Sequence, residues 1–241
     1  MRVHLRDSVL DLVLGSCCAV CARPGRLLCP HCSRSLPRVA RTSWPTPCPA
    51  GLVRPVAAGE YDGPLKEMVN AHKEHHQLAL ARPLGDLLAL AVAEHAGTAP
   101  CFLVPVPSRP SVVRGRGHDP LLRVARRAAV RLRGQGSTVR VVQALRSAGA
   151  VQDQAGLGAR ERQQNLAGSI LSPPTRAARL VRAQQRAPAL RVVLVDDVVT
   201  TGATLREAQR ALEDAGVRVA GAATVAATRR RGSLPFSPSG D

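Results

Sequence analysis

Two stretches of this chain carry residue types in an order that could do chemistry. One is Val192-Val193-Leu194-Val195-Asp196-Asp197-Val198-Val199-Thr200-Thr201-Gly202-Ala203-Thr204, an apolar run leading to two adjacent carboxylates, a hydroxyl- and glycine-containing turn and a helix start. In an open α/β sheet the ligand crevice lies beyond the carboxyl ends of the strands, where such a run delivers Asp196 and Asp197. The turn then offers backbone N–H groups and the Thr200, Thr201 and Thr204 hydroxyls at a helix N-terminus, an anion site to which the helix dipole adds about 0.3 to 1 kcal/mol per charge. Gly202 lets a ligand approach the backbone closely. Paired carboxylates accept hydrogen bonds from both hydroxyls of a sugar ring and favour a nearby Mg²⁺. Each feature alone also describes an ordinary capped strand-to-helix connection; their contiguity is what points to a phosphorylated sugar.

The other stretch is Cys18-x-x-Cys21, seven residues, then Cys29-x-x-Cys32, within a region that holds five of the seven cysteines. Two such knuckles close on one tetrahedral Zn²⁺, and Pro24 and Gly25 suit the reversal between them. Two disulfides are the alternative, disfavoured by the close pairing and by a cytoplasmic setting. Cys17 and His31 stand near enough to replace a neighbouring ligand. Four thiolates leave no open coordination position, so the ion's work is to fold a short module lacking its own core. Cys48 is read as incidental.

The elements that must position these groups follow from pattern. At 241 residues the chain has room for one medium α/β domain and a small appendage. The module and an N-terminal helix take residues 1–36, a proline-rich extended connector 37–56, the main domain 57–228 and a disordered tail 229–241. Helical periodicity runs through 65–90, broken into two helices near Pro83. Strands are expected over 102–106, 139–145, 191–195 and 217–226, and helices over 121–132 and 203–215, the last stopped by Gly216. The stretch 172–188, with Pro173, Pro174 and several arginines, reads as a surface excursion. Strands alternating with helices imply an α/β fold, a mostly parallel twisted sheet flanked by helices.

The formal charge of +17 suggests a polyanionic partner, yet only two of the 34 basic residues, Lys66 and Lys73, are lysines. Arginine has replaced lysine throughout, as a GC-rich coding bias would do, so charge alone assigns no function. Aromatic residues make up 2% of the chain, which argues against a surface that stacks successive bases of a single strand. No apolar run approaches the roughly 20 residues of a membrane-spanning helix, so no membrane insertion is expected. Leu14-Gly15-Ser16-Cys17 resembles a lipoprotein cleavage site, but Asp7 and Asp11 charge the preceding stretch at near-helical spacing; the expected location is cytoplasmic. Lys66 and Lys73 share one helix face, and Lys73 suits a point-charge role near phosphate. His72, His75 and His76 read as a solvated face.

The thirteen-residue string resembles the 5-phosphoribosyl 1-diphosphate (PRPP) signature of type I phosphoribosyltransferases. Further along, a cysteine-rich N-terminal module, Tyr61-x-Gly63, Val104-Pro105-Val106-Pro107, Arg116-Gly117, and Gln154-x-x-Leu157 with Arg162-x-x-Asn165 resemble the ComF family over nearly the full chain. The resemblance implies a PRPP-binding site on Val198, Thr200, Thr201, Gly202, Ala203 and Thr204, catalytic roles for Asp196 and Asp197, and diphosphate contacts from Arg109, Arg114 and Arg116. Arg162 and Asn165 would join them. One departure stands out: Arg116-Gly117-His118-Asp119-Pro120 replaces the family's Arg-Gly-Phe-Asn-Gln, which bears on acceptor preference.

Two functions from different classes follow. The resemblance implies a transferase that moves phosphoribosyl from PRPP, with Mg²⁺, to an unidentified nucleobase or amine and releases diphosphate, in a setting of competence and DNA uptake. Alternatively the chain is a non-catalytic sensor of PRPP or nucleotide acting through single-stranded DNA or a competence-machinery protein. A DNA-binding zinc finger fits poorly, because the recognition-helix and histidine spacing of that class is missing.

Overall fold

The computed structural model describes residues 17–108, 117–148 and 168–228. The N-terminal helix expected before Cys17, most of the polar stretch 152–168 and the tail lie outside these residues.

In chain order the elements are α1 (Pro30–Arg34), β1 (Arg41–Thr42), β2 (Pro55–Glu60), α2 (Gly63–Glu74), a 3-10 turn (Leu78–Leu80), α3 (Ala81–Ala96), β3 (Cys101–Pro105), α4 (Pro120–Arg133), β4 (Val139–Val141), β5 (Arg146–Ser147), β6 (Ile170–Leu171), α5 (Pro174–Arg186), β7 (Arg191–Val199), α6 (Ala203–Glu213) and β8 (Gly221–Ala227). Six strands form one sheet in the order β1-β2-β8-β7-β3-β4. All neighbours run parallel except the edge pair β1–β2.

Period-two alternation sorts β7 between two cores. Val193 and Val195 face the layer of α2, α3 and α4 with Met68, Leu88 and Val124, whereas Val192 and Leu194 face Leu180, Leu205 and Leu212 of α5 and α6. A strand buried on both faces must read as an uninterrupted apolar run, which is why 192–195 does. On the first face α3 and α4 approach closely at Gly85, where a Cβ would lie 2.5 Å from the Arg127 Cβ.

Several sequence expectations are corrected here. The break between α2 and α3 falls after Glu74, not at Pro83, which sits in the first turn of α3. A first-turn N–H has no helical acceptor, so proline costs little there. Residues 172–188 are not a surface excursion: Pro174 opens α5, whose Ala177, Leu180 and Gln184 are buried while its arginines face out. The strand expected over 139–145 shortens to three residues, and β7 continues four residues past Val195, through both carboxylates, because β8 pairs with it as far as Val199. His72 is 2% exposed rather than solvated.

Among the described residues no helix is long and apolar enough to cross a membrane.

Candidate functional site

The site forms where the sheet changes its winding direction. From β3 the chain crosses by α4 to β4 on one side; from β7 it crosses by α6 to β8 on the other, and β3 and β7 are neighbours. Crossovers that diverge this way leave a crevice at the carboxyl ends of the two strands. There β7 delivers Asp196, Asp197 and then the loop Thr200–Gly202.

Lys73, near the end of α2, places its Nζ 2.6 Å from Asp197 Oδ2. Beneath the pair the packing closes, leaving a cavity of about 10 Å³ between Leu84, Leu121, Val124 and Val225. Neighbouring His72 fixes α2 here: Nδ1 lies 3.2 Å from the Gln77 carbonyl and Nε2 3.3 Å from that of Pro120. Burial holds its pKa below the ordinary value.

Asp196 sits in a different environment. Its Oδ1 accepts the Asp197 N–H at 2.8 Å. Burial, and next the Asp197 carboxylate beside it, push its carboxyl up to about 8, against the pull of that N–H and of Lys73. Near neutral pH Asp196 can thus donate as well as accept a hydrogen bond, while Asp197 carries the ion pair.

At the start of α6, Gly202 adopts φ +71° and no side chain caps the helix; the Ala203 N–H reaches Thr201 Oγ1 at 3.4 Å. First-turn N–H groups are thereby left for an anion. The close approach found at Gly202 is that of the connector: a Cβ there would lie 2.9 Å from both Leu52 Cδ2 and Pro45 Cγ. Gln209, buried on α6, holds the connector by accepting the Val53 N–H at 2.9 Å and donating to the Gly51 carbonyl at 2.9 Å. Arg206 Nε donates to the Ala50 carbonyl at 3.0 Å.

Of the residues singled out from sequence, Asp196, Asp197, Val198, Thr200, Thr201, Gly202, Ala203, Thr204 and Lys73 converge here. Lys66 is exposed and stays apart. Arg109, Arg114, Arg116, Arg162 and Asn165 lie outside the described residues. The flank of the 149–167 stretch is tied to α6, since Glu207 Oε1 accepts the Ile170 N–H at 3.3 Å and Arg210 Nη2 donates to the Ile170 carbonyl at 3.2 Å. Sequence reasoning missed Gln209 and Glu207, polar residues that on an amphipathic helix look like surface. It also missed why Tyr61 matters: its N–H donates to the Ala227 carbonyl at 2.7 Å and its hydroxyl to Asn70 Oδ1 at 2.8 Å, fixing α2 to the end of β8.

The cysteine centre is separate. One Sγ from each of Cys18, Cys21, Cys29 and Cys32 gathers within 4.8 Å of the others. Cys21 and Cys29 Sγ lie 3.7 Å apart, close to the edge of about 3.8 Å that a tetrahedron with 2.3 Å metal–sulfur bonds requires. The Cys29 N–H points at Cys18 Sγ at 3.4 Å and the Cys32 N–H at Cys29 Sγ at 3.5 Å, bonds that favour thiolate. Burial works against ionisation of Cys18, yet N–H groups of Cys29, Cys21 and Val20 bring it down to about 6; burial and the crowding thiols push Cys32 up to about 12. Thiols that cannot all ionise alone are what a divalent cation resolves. Cys17 and His31 are exposed and outside the group.

Residues 124–237 match the phosphoribosyl transferase domain family. The chain is also 28% identical over 230 residues to Competence protein F of Haemophilus influenzae, covering 89% of this chain and 91% of that protein. A parallel sheet with an acidic pair and an open helix start at its switch point, in a chain matching this family, defines a type I phosphoribosyltransferase-like protein. Within that class, with a cysteine module in front, the chain is similar nearly end to end to Competence protein F.

Proposed function

We propose that the segment from Asp196 to Thr204 binds PRPP and that the protein transfers its phosphoribosyl group to a nitrogen acceptor. The observation that carries this reading is the meeting of an acidic pair with an uncapped helix N-terminus at the switch point of the sheet. The 5-phosphate lies on the Thr200–Thr204 loop, and Asp196 and Asp197 hold the ribose hydroxyls. The acceptor nitrogen forms a bond to C1 as the C1–O bond to diphosphate breaks; that electron pair leaves on the diphosphate and the acceptor's proton passes to solvent.

Two carboxylates make no cation cage, so Mg²⁺ arrives with the sugar diphosphate and supplies charge neutralisation to its leaving oxygens. Arg109, Arg114, Arg116, Arg162 and Asn165 are the proposed diphosphate partners, by their place in the chain. Lys73 holds Asp197 in position and is a further proposed partner of the diphosphate. No protein nucleophile is needed, because positioning and electrostatics carry such a displacement. Cys18, Cys21, Cys29 and Cys32 hold a structural Zn²⁺. The relative's name, Competence protein F, supports a role in competence, and the chain's thiol-rich module supports a cytoplasmic setting.

Calorimetry with PRPP and Mg²⁺, followed by diphosphate release on a nucleobase and amine panel, tests the reading. Heat and turnover that both vanish in Asp196→Asn/Asp197→Asn are expected. Absence of heat sinks the reading; heat without release across the panel sinks the transfer and leaves a PRPP sensor.

A further inference from the structure

Strands β5 and β6 form a ribbon of two residues each, paired antiparallel with Arg146 opposite Leu171 and Ser147 opposite Ile170. So short a ribbon does not support itself, and its own pairing specifies its register weakly. The Ala148 N–H donates to the Ser169 carbonyl at 2.8 Å. By the alternation of an antiparallel ladder, the N–H and carbonyl of the next residue, Ile170, turn away from β5.

Both are taken up by one pair of side chains on α6. Glu207 Oε1 accepts the Ile170 N–H at 3.3 Å, and Arg210 Nη2 donates to the Ile170 carbonyl at 3.2 Å. The pair stands where a third strand would, offering one acceptor and one donor to a single residue. It is also locked within itself: Arg210 Nε donates to Glu207 Oε2 at 2.8 Å and Nη2 to Glu207 Oε1 at 2.7 Å, a bidentate fork, while Nη1 donates to Asp214.

Packing alone does not call for this arrangement. The Ile170 side chain is already buried in the core with Leu180, Leu205 and Ala208. An apolar pair in place of Glu207 and Arg210 would keep that contact without taking a carboxylate to 6% exposure. What the ion pair adds is geometry, because it fixes one backbone position of the ribbon against one turn of α6. That helix is the one whose N-terminus opens the phosphate loop, and Glu207 stands about 8 Å along its axis from Gly202. The ribbon bounds residues 149–167, which include the proposed diphosphate partners Arg162 and Asn165.

We propose that Glu207 and Arg210 are positioning residues for the diphosphate end of PRPP, holding the root of the ribbon in register with the helix that receives the 5-phosphate. The inference rests on the PRPP reading and deepens it. It makes the two ends of the ligand separable: ribose 5-phosphate uses the loop and the acidic pair, whereas PRPP also uses the ribbon. Support of α6 alone would act differently, since a loosened helix weakens both ligands together.

Full-length protein is titrated in a calorimeter with PRPP and Mg²⁺ and, separately, with ribose 5-phosphate. Glu207→Leu/Arg210→Met removes both charges at similar volume, so that neither is left buried without its partner. PRPP is expected to weaken about tenfold or more in this variant, the scale of loss that misplaced groups produce, while ribose 5-phosphate binds as it does to the native chain. Amide exchange at Ala148, whose bond closes the ribbon, quickens at the same time. Arg210→Lys keeps the charge and loses the fork; it weakens PRPP alone, by a smaller factor, and carries the same comparison should the double variant not fold. If PRPP and ribose 5-phosphate weaken together, or if neither changes in either variant, the positioning role is overturned and the PRPP reading stands. If the native chain gives no heat with PRPP and Mg²⁺, the PRPP reading falls and the positioning role with it.

Discussion

Lys73 Nζ and Asp197 Oδ2 meet at 2.6 Å, joining the end of α2 to the strand that carries the acidic pair. Two carboxylates in adjacent positions repel each other; a helix cation supplied from elsewhere in the chain offsets that repulsion at the mouth of the site. The two side chains are 27% and 20% exposed, so solvent screens the pair only in part.

Lys73→Met is therefore expected to cost about 1 kcal/mol, lowering the thermal midpoint by about 2 to 4 °C for a chain of this size. Lys66→Met, on the same helix but exposed, serves as the control and leaves the midpoint unchanged. Differential scanning calorimetry of the two variants side by side decides whether the contact or the helix charge matters.

Asp196 makes stability depend on pH in a defined direction. Its carboxyl titrates near 4 in the unfolded chain and at about 8 in the fold, so the folded state holds the proton more tightly. Its contribution is fully present below about pH 4 and is lost as pH rises toward 8. Asp196→Asn removes this dependence. Melting curves from pH 5 to 9 should show the gap widening in favour of the variant up to about pH 8 and then levelling; parallel curves would contradict the assignment.

Gly202→Ala places a side chain at φ +71° and against Leu52 and Pro45. The left-handed backbone alone costs about 1 to 2 kcal/mol, and the contact adds to it unless the connector yields. A midpoint lowered by at least about 4 °C is expected, along with loss of PRPP heat. An unaltered midpoint would mean that the connector does not press on this loop in solution.

Metal analysis of purified protein should return one zinc per chain. Cys21→Ser and Cys29→Ser lose it, whereas Cys17→Ser and Cys48→Ser, outside the cluster, keep it. A chelator lowers the thermal midpoint and added zinc restores it, because binding energy at such a site is folding energy. Retention of zinc by Cys29→Ser would refute the four-thiolate set.

Much of the architecture was legible because it rests on short-range rules. The apolar run 192–195 reads as a strand covered on both faces, and the two Cys-x-x-Cys pairs read as one centre, since each signal is a local spacing. Where the reading erred, a local rule was applied without its position. Pro83 and Pro174 look like helix breakers but occupy first turns, where the missing N–H has no acceptor to lose. His72 looks like part of a polar surface until α4 brings the Pro120 carbonyl against it.

By itself the sequence determined which groups this protein owns: an acidic pair, a hydroxyl-rich turn opening a helix, and four thiols at metal spacing. Tertiary structure alone decided how they are set. It assigned Lys73 to Asp197, gave Asp196 and Asp197 different environments, and folded the connector onto Gly202 so that Trp44 borders a groove beside the loop. The physical reason is range. Hydrophobic period, turn chemistry and ligand spacing act between residues close in the chain, whereas desolvation and ion pairing depend on which distant segments the packed sheet brings together.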